Sequence, residues 1–321
     1  MSPSRTPRRP SRQIPTLAVS VAPRDEAEAW LGLLRPALPE AVIELLADLP
    51  AAKVDYAVAW GSVAGLDRCP NLKAIISLGA GIDHIVADPS LAHLPVVRMI
   101  DPGLTRGMTE FVLLQALHHH RRMPEFESQQ RAREWRPRYV PLAPERRVGV
   151  MGMGVLGRDA ARMLAATGFR VAGWSRRARR VDGVETFAGD DALAPFLART
   201  DILVCLLPLT AATRGILNAD LFARLPRGAA VINVARGGHL AESDLVAALD
   251  SGHLSGASLD VFDQEPLPPG HPFWLHPKIV VTPHVASLTR RDTGSLFVAR
   301  TVRSLIAGKR PRGLVDRSWG Y

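Results

Sequence analysis

Two cysteines, Cys69 and Cys205, are all that a chain of 321 residues contains. That scarcity excludes both a disulfide framework and a thiolate metal site. Cys205 lies in the apolar run Ile202-Leu203-Val204-Cys205-Leu206-Leu207, where a buried, inert thiol is expected, and a reducing, cytoplasmic setting fits. No apolar run approaches the ~20 residues that span a bilayer, which excludes a membrane protein, and the N-terminus lacks the apolar segment of a secretory signal. Internal repeats are missing too. Acids are outnumbered, 31 Asp and Glu against 40 Lys and Arg, for a net charge of +9. The excess sits in Arg5, Arg8, Arg9 and Arg12 of a Pro/Ser-rich start and in Arg176 to Arg180. No nucleic-acid motif accompanies either cluster, so no nucleic-acid partner is expected. Residues 1–13 read as a disordered leader, solvated and without a fold.

What is present is a globular composition, 47% apolar and 22% charged, at a length that suits two domains. Short apolar runs alternate with amphipathic stretches, the signature of an α/β fold with parallel sheets. A first series has strands expected at 16–21, 55–60, 74–78 and 96–99, with helices after Asp25 and over 105–120. The stretch 124–145, broken by Pro124, Pro137, Pro141 and Pro144, reads as an arm or linker. A second series has strands expected at 148–151, 170–174, 202–206, 229–234, 256–259 and 279–281, a helix over 155–167 closed by Gly168, and a last helix over 288–307.

Gly152-Met153-Gly154-Val155-Leu156-Gly157 stands between a strand and a helix, with another strand closing the βαβ unit. That context turns a weak glycine pattern into a dinucleotide-binding loop. Gly152 allows the tight turn, Gly154 the approach of a pyrophosphate and Gly157 the packing of helix on strand, while the helix N-terminus offers N–H groups to phosphate. An NAD-selective site carries an acid about 20 residues on. Here that position reads Trp174-Ser175-Arg176-Arg177, a hydroxyl and guanidinium groups suited to a 2′-phosphate. NADPH is therefore expected over NADH, which remains possible but weaker.

Three charged residues follow strands of the second series: Arg236 after Val231-Ile232-Asn233-Val234, Glu265 within Asp263-Gln264-Glu265-Pro266, and His284 after Thr282-Pro283. All fall on the edge where open α/β sheets bind ligands. Adjacent His118, His119 and His120 point roughly 100° apart on a helix and cannot share one ion. They read as a helix end where positive charge suits the dipole, and no metal is expected.

With these segments, Leu259-Asp260-Val261-Phe262 and Thr282-Pro283-His284-Val285-Ala286, the chain resembles the D-isomer-specific 2-hydroxyacid dehydrogenase family. Trp174-Ser175-Arg176, Leu78-Gly79-Ala80-Gly81-Ile82-Asp83 and the ending Val315-Asp316-Arg317-Ser318-Trp319-Gly320-Tyr321 make it most similar to the family's NADPH-dependent glyoxylate/hydroxypyruvate reductases of the bacterial A type. The resemblance implies a Rossmann-type doubly wound sheet over 105–287 and a flavodoxin-like substrate domain of 14–104 with 288–321, joined by a hinge. It implies reduction of a small 2-oxo acid, with His284 as proton donor and Glu265 holding its imidazole and raising its pKa. Arg236 would bind the carboxylate and carbonyl of the acid, and the backbone of Gly79, Ala80 and Gly81 would form an anion nest, with Leu78 beside it among the substrate-binding residues. Val155, Leu156, Leu207, Pro208, Val234, Ala235 and Asp260 would line the cofactor, Asp260 at the nicotinamide carboxamide. Trp60 reads equally as a wall of the substrate cleft or as a core tryptophan. The arm around Trp135 would embrace a second subunit in a homodimer. Two other functions fit similar polar sets: a dinucleotide-sensing regulator like the C-terminal binding protein corepressors, and an enzyme of the D-3-phosphoglycerate dehydrogenase type.

Overall fold

The computed structural model describes residues 14–317; the leader expected over 1–13 and the ending 318–321 lie outside the described residues. The chain divides into two compact units, one running to Met99 and resuming at Arg290, the other spanning Ile100–Thr289. The first division falls five residues ahead of the one expected from the sequence because Asp101 caps the long helix that opens the second unit. Its carboxylate accepts from Leu104 N–H at 3.0 Å, with Pro102 in the first turn, so cap and helix stay together.

The first unit contains β1 (Thr16–Val21), α1 (Arg24–Ala37), β2 (Val42–Leu45), β3 (Tyr56–Trp60), β4 (Ala74–Ser77), α2 (Asp83–Val86) and β5 (Val96–Val97). Its five strands are parallel in the order β2-β1-β3-β4-β5, the flavodoxin-like arrangement. Ala27, Trp30, Leu31 and Leu34 make the buried stripe of α1, spaced three and four apart as an amphipathic helix requires. The chain's last helix returns to this unit and docks on α1, with Arg303 paired to Glu40 at 2.6 Å and Arg291 paired to Glu26.

The second unit contains α3 (Pro102–His120), α4 (Met123–Ala132), β6 (Arg147–Met151), α5 (Val155–Ala166), β7 (Arg170–Ser175), β8 (Glu185–Ala188), α6 (Leu193–Ala198), β9 (Ile202–Cys205), α7 (Ala219–Arg224), β10 (Ala229–Asn233), α8 (Glu242–Asp250), β11 (Leu254–Leu259) and β12 (Ile279–Val281); α9 (Arg291–Ile306) is the returning helix. Seven parallel strands run β12-β11-β10-β9-β6-β7-β8. One face is covered by α3 and α5 through Val112, Ala116, Ala160, Ala161 and Leu164. The other is covered by α6, α7 and α8 through Phe196, Phe222, Leu245 and Leu249. Helices on both faces of a parallel sheet make this a doubly wound, Rossmann-type unit.

Two expectations are corrected here. The stretch 124–145 begins as a helix inside the second unit rather than as an irregular linker, because Pro124 occupies the first turn of α4, where no N–H is needed. Irregular chain follows only after Ala132, and there Trp135 is 96% exposed, with Tyr139 and Leu142 also exposed. Nor are His119 and His120, at the end of α3, dipole-facing cations. His119 is half-buried with Nε2 2.8 Å from Ser258 Oγ, and desolvation of its ring pushes its pKa down to about 3. His120 meets Phe169 edge-on at 5.0 Å, its pKa likewise lowered by burial and then by Arg146 and Arg121. Both cysteines are buried, and burial pushes the Cys205 thiol up to about 12, so it stays a protonated core residue.

Candidate active site

In the second unit the candidate cofactor and catalytic residues lie on the loops at the C-terminal ends of β6, β7, β9, β10, β11 and β12 and on the first turn of α5. The strand order reverses between β6 and β9, the crossing point where such sheets take their ligand. The glycine loop fills that point. Gly152 has φ +102°, and a Cβ there would lie 2.5 Å from the Leu206 carbonyl oxygen. A Cβ on Gly157 would lie 1.9 Å from the Gly152 carbonyl oxygen, whereas one on Gly154, the N-cap of α5, would meet nothing within 4 Å. Two glycines are thus required by the chain itself, and the third leaves room for a phosphate at a helix N-terminus, beside Val155 and Leu156. The loop fits a pyrophosphate cradle. Gly157→Ala is expected to lower stability by about 1–3 kcal/mol and to abolish tight dinucleotide binding. Gly154→Ala should melt like the wild type yet bind the dinucleotide more weakly. Thermal melts beside fluorescence titrations check the pair.

At the end of β7 the Trp174 indole is buried and donates to the Gly189 carbonyl at 2.9 Å. Ser175 hydroxyl donates to the Arg177 carbonyl at 2.7 Å, folding the turn so that Arg176 and Arg177 stand exposed. After β9, Leu207 is buried and Pro208 half-buried; after β10, Val234 and Ala235 are buried, so their backbone forms the loop floor.

Arg236 is half-buried, with one guanidinium nitrogen donating to the Ala235 carbonyl at 2.7 Å. His284 follows β12 with φ 54°, a left-handed conformation that costs a non-glycine residue about 1–2 kcal/mol and marks functional sites. Its Nδ1 donates to Glu265 Oε2 at 2.7 Å, while Glu265 Oε1 accepts from Phe262 N–H at 2.9 Å. Burial alone would raise the Glu265 pKa, but the hydrogen bonds from His284 and Phe262 and the nearby charges of His284 and Arg236 hold it below the usual carboxylate range. A lowered pKa contributes stability above the unfolded value and loses it as pH falls through the folded one. The melting-temperature gap between wild type and Glu265→Gln should accordingly be widest near neutral pH and close below roughly pH 4.

Asp260 is 1% exposed. Its carboxylate accepts from the Thr282 hydroxyl at 2.6 Å and from the N–H groups of Val285 and Ala286 at 2.9 Å each. Three donors leave about one lone-pair site for a cofactor amide, and the residue's first task is to hold the loop that presents His284. In the first unit Trp60 lies over Gly79, where a Cβ would sit 2.0 Å from the indole, and Leu78 is buried beside it. The Gly79 N–H turns inward to Ser77 Oγ at 3.2 Å. This narrows the expected anion nest to the half-buried Ala80 and Gly81.

Sequence reasoning gave no role to Asn233, His239, Thr282 or Thr213, all of which brace these loops. Asn233 donates to the Arg236 carbonyl at 3.0 Å and accepts from Ala235 N–H at 3.2 Å; Thr213 donates to the Pro208 carbonyl at 2.7 Å. Their signal in the sequence is slight: Asn233 and Thr282 are polar residues within the quoted motifs, His239 directly follows one, and Thr213 stands five residues beyond Pro208. Among the described residues no group of three His, Cys, Asp or Glu could hold a metal ion, and no helix is long and apolar enough to cross a membrane.

A doubly wound sheet with a glycine cradle at its crossing point, and Arg, Glu and His on the same edge, defines a dinucleotide-dependent oxidoreductase. The chain belongs to the D-isomer specific 2-hydroxyacid dehydrogenase family, whose NAD binding domain matches residues 113–286. It is 40% identical over 304 residues to glyoxylate/hydroxypyruvate reductase A of Yersinia enterocolitica, covering 92% of this chain and 97% of that protein. It is similar in structure to a D-isomer specific 2-hydroxyacid dehydrogenase of Xanthobacter autotrophicus in complex with NADPH and MES, at 42% identity and a TM-score of 0.92, covering 96% of this chain and 100% of that one. The NADPH-dependent glyoxylate/hydroxypyruvate reductase of Sinorhizobium meliloti, in complex with NADP and sulfate, aligns at 43% identity and a TM-score of 0.88, with 96% and 100% covered.

Proposed function

We propose that this protein is an NADPH-dependent reductase of small 2-oxo acids, with glyoxylate and hydroxypyruvate as its substrates. The observation that carries the proposal is the His284–Glu265 hydrogen bond of 2.7 Å on the same sheet edge as Arg236. An acid held by a carboxylate and a fixed guanidinium are the two groups that carbonyl reduction asks of a protein. The relatives named above support the choice of cofactor and substrates.

Bound NADPH would supply a hydride to C2 of the oxo acid. The protein's own residues do the rest. Arg236 draws the carbonyl oxygen and carboxylate into its planar fork and stabilises the negative charge that grows on the oxygen. His284 Nε2, the nitrogen not turned to Glu265, delivers the proton to that oxygen; Glu265 keeps the ring in orientation. Ser175 and Arg176 are assigned to the 2′-phosphate, with Arg177 beside them. Arg176→Ala should weaken NADPH about tenfold or more while changing NADH little, since a charge-assisted hydrogen bond contributes about 1.5–3 kcal/mol. Titration with both dinucleotides checks it, and equal losses would remove the assignment.

The exposed Trp135 and Tyr139 suit an arm against a second copy, so a cytoplasmic homodimer is proposed; light scattering of wild type beside Trp135→Ser tests the dimer. The reductase proposal is tested by following NADPH consumption with a panel of 2-oxo acids. Turnover of glyoxylate and hydroxypyruvate supports it. NADPH binding without turnover of any oxo acid would favour a dinucleotide-sensing regulator instead.

A further inference from the structure

His239 closes the short turn Gly237–His239 that follows Arg236, and it is 0% exposed. Its ring lies between two backbone carbonyls of different loops: Nδ1 is 3.1 Å from the Arg236 oxygen and Nε2 is 3.3 Å from the Pro208 oxygen. Each of those oxygens already accepts a second bond, from Asn233 at 3.0 Å and from Thr213 at 2.7 Å respectively. The fold therefore satisfies both carbonyls without His239. An uncharged imidazole carries a single N–H, so the ring donates to one of these carbonyls and packs against the other, forming a strut between the loop after β9 and the loop after β10.

The turn itself is packed for that task. A Cβ on Gly238 would lie 3.2 Å from Leu209 of the β9 loop, and one on Gly237 would lie 1.8 Å from the Phe262 carbonyl carbon. Phe262 is the residue whose N–H holds Glu265. Three loops thus meet at Gly237-Gly238-His239: one carrying Leu207 and Pro208, one carrying Arg236, one carrying Glu265. Leu209 packs on this turn from the β9 loop, and the His239 ring reaches backbone carbonyls of both the β9 and the Arg236 loops.

Resting on the reductase function proposed above, we infer that His239 is a positioning residue that ties the backbone of Arg236 to the cofactor loop, so that the oxo acid meets Arg236 in one fixed pose only when that loop is in place. His239 touches no reacting atom. Its contribution is to the orientation of Arg236, where a small misplacement is expensive.

The test compares wild type with His239→Leu and His239→Gln. Leucine is close in volume and donates nothing; glutamine restores a donor toward one carbonyl. For His239→Leu, KM for glyoxylate should rise about tenfold, the scale of one lost neutral hydrogen bond. The melting temperature and NADPH affinity should stay near those of the wild type, and His239→Gln should recover part of the loss. A purely structural role would lower the melting temperature and the active fraction while leaving KM unchanged, and that result overturns the inference, as does an unchanged KM in a stable His239→Leu. If His239→Leu does not fold, His239→Gln carries the comparison: a raised KM at unaltered NADPH affinity supports the strut, and wild-type constants overturn it. Wild type that oxidises NADPH with none of the oxo acids offered would instead be a failure of the reductase proposal, read from the control alone.

Discussion

Replacing His284 by alanine is expected to lower kcat about 10²–10⁴-fold, the usual contribution of a positioned proton donor, while NADPH affinity changes by no more than about threefold. The reasoning rests on where the side chain is held. Glu265 fixes Nδ1 at 2.7 Å, Asp260 fixes the following loop through Val285 and Ala286, and the ring at φ 54° has Nε2 left for a proton. Alanine leaves Asp260 and its donors intact, so the dinucleotide unit should fold as before; the left-handed backbone strains Ala no more than His. Stopped-flow mixing of the NADPH-loaded variant with glyoxylate separates the chemical step from binding. A variant that turns over at the wild-type rate would remove His284 from the reaction.

The second large effect is expected at Arg236. Arg236→Ala should reduce kcat/KM for the oxo acid by about 10²–10³-fold or more, the scale for removing a donor aimed at a developing oxyanion. Arg236→Lys should recover little, because an ammonium cannot reproduce the two-pronged geometry that a planar guanidinium offers to a carboxylate and its neighbouring carbonyl. Both kcat and KM should suffer, since the side chain binds the ground state and stabilises the charge that grows on it. The melting temperature is expected to move little: Asn233 holds the Arg236 backbone at 3.0 Å whatever the side chain. Steady-state kinetics over a wide glyoxylate range, with NADPH saturating, checks the split. Loss confined to NADPH affinity would place Arg236 at the cofactor instead.

How much of this was legible in the sequence depended on the kind of signal each residue gave. The interior strands announced themselves: Thr16–Val21 and Ile202–Cys205 are apolar runs bounded by polar residues, as fully buried parallel strands must be. The edge strands β2 and β8 did not, because one side of each faces solvent and Glu44 or Glu185 interrupts the run. The short helices α6, α7 and α8 were missed for a similar reason, being too brief for a 3.6-residue period to stand out. At the site, Gly152, Arg236, Glu265 and His284 could be found because motif and strand-end position coincide. The nest at Gly79 was overestimated because a turn's N–H groups look equal in sequence, whereas Ser77 claims one of them at 3.2 Å. Asn233, His239 and Thr282 were invisible as functional residues because they act by bracing other residues, Asn233 the backbone around Arg236, His239 the Arg236 and Pro208 carbonyls and Thr282 the Asp260 carboxylate. The end of α3 misled for an electrostatic reason: three histidines suggest charge, and burial against Ser258 and Phe169 makes His119 and His120 neutral.

The most direct measurement follows the hydride itself. The protein is incubated with glyoxylate and NADPH carrying deuterium at nicotinamide C4, each face labelled in turn, and the product is analysed by mass spectrometry. One of the two labelled cofactors should deliver a single deuterium to C2 of glycolate, with NADPH consumed in equal amount. Consumption of NADPH without deuterium in the product, or intact NADPH and glyoxylate after prolonged incubation, would contradict the assignment of this site to 2-oxo acid reduction.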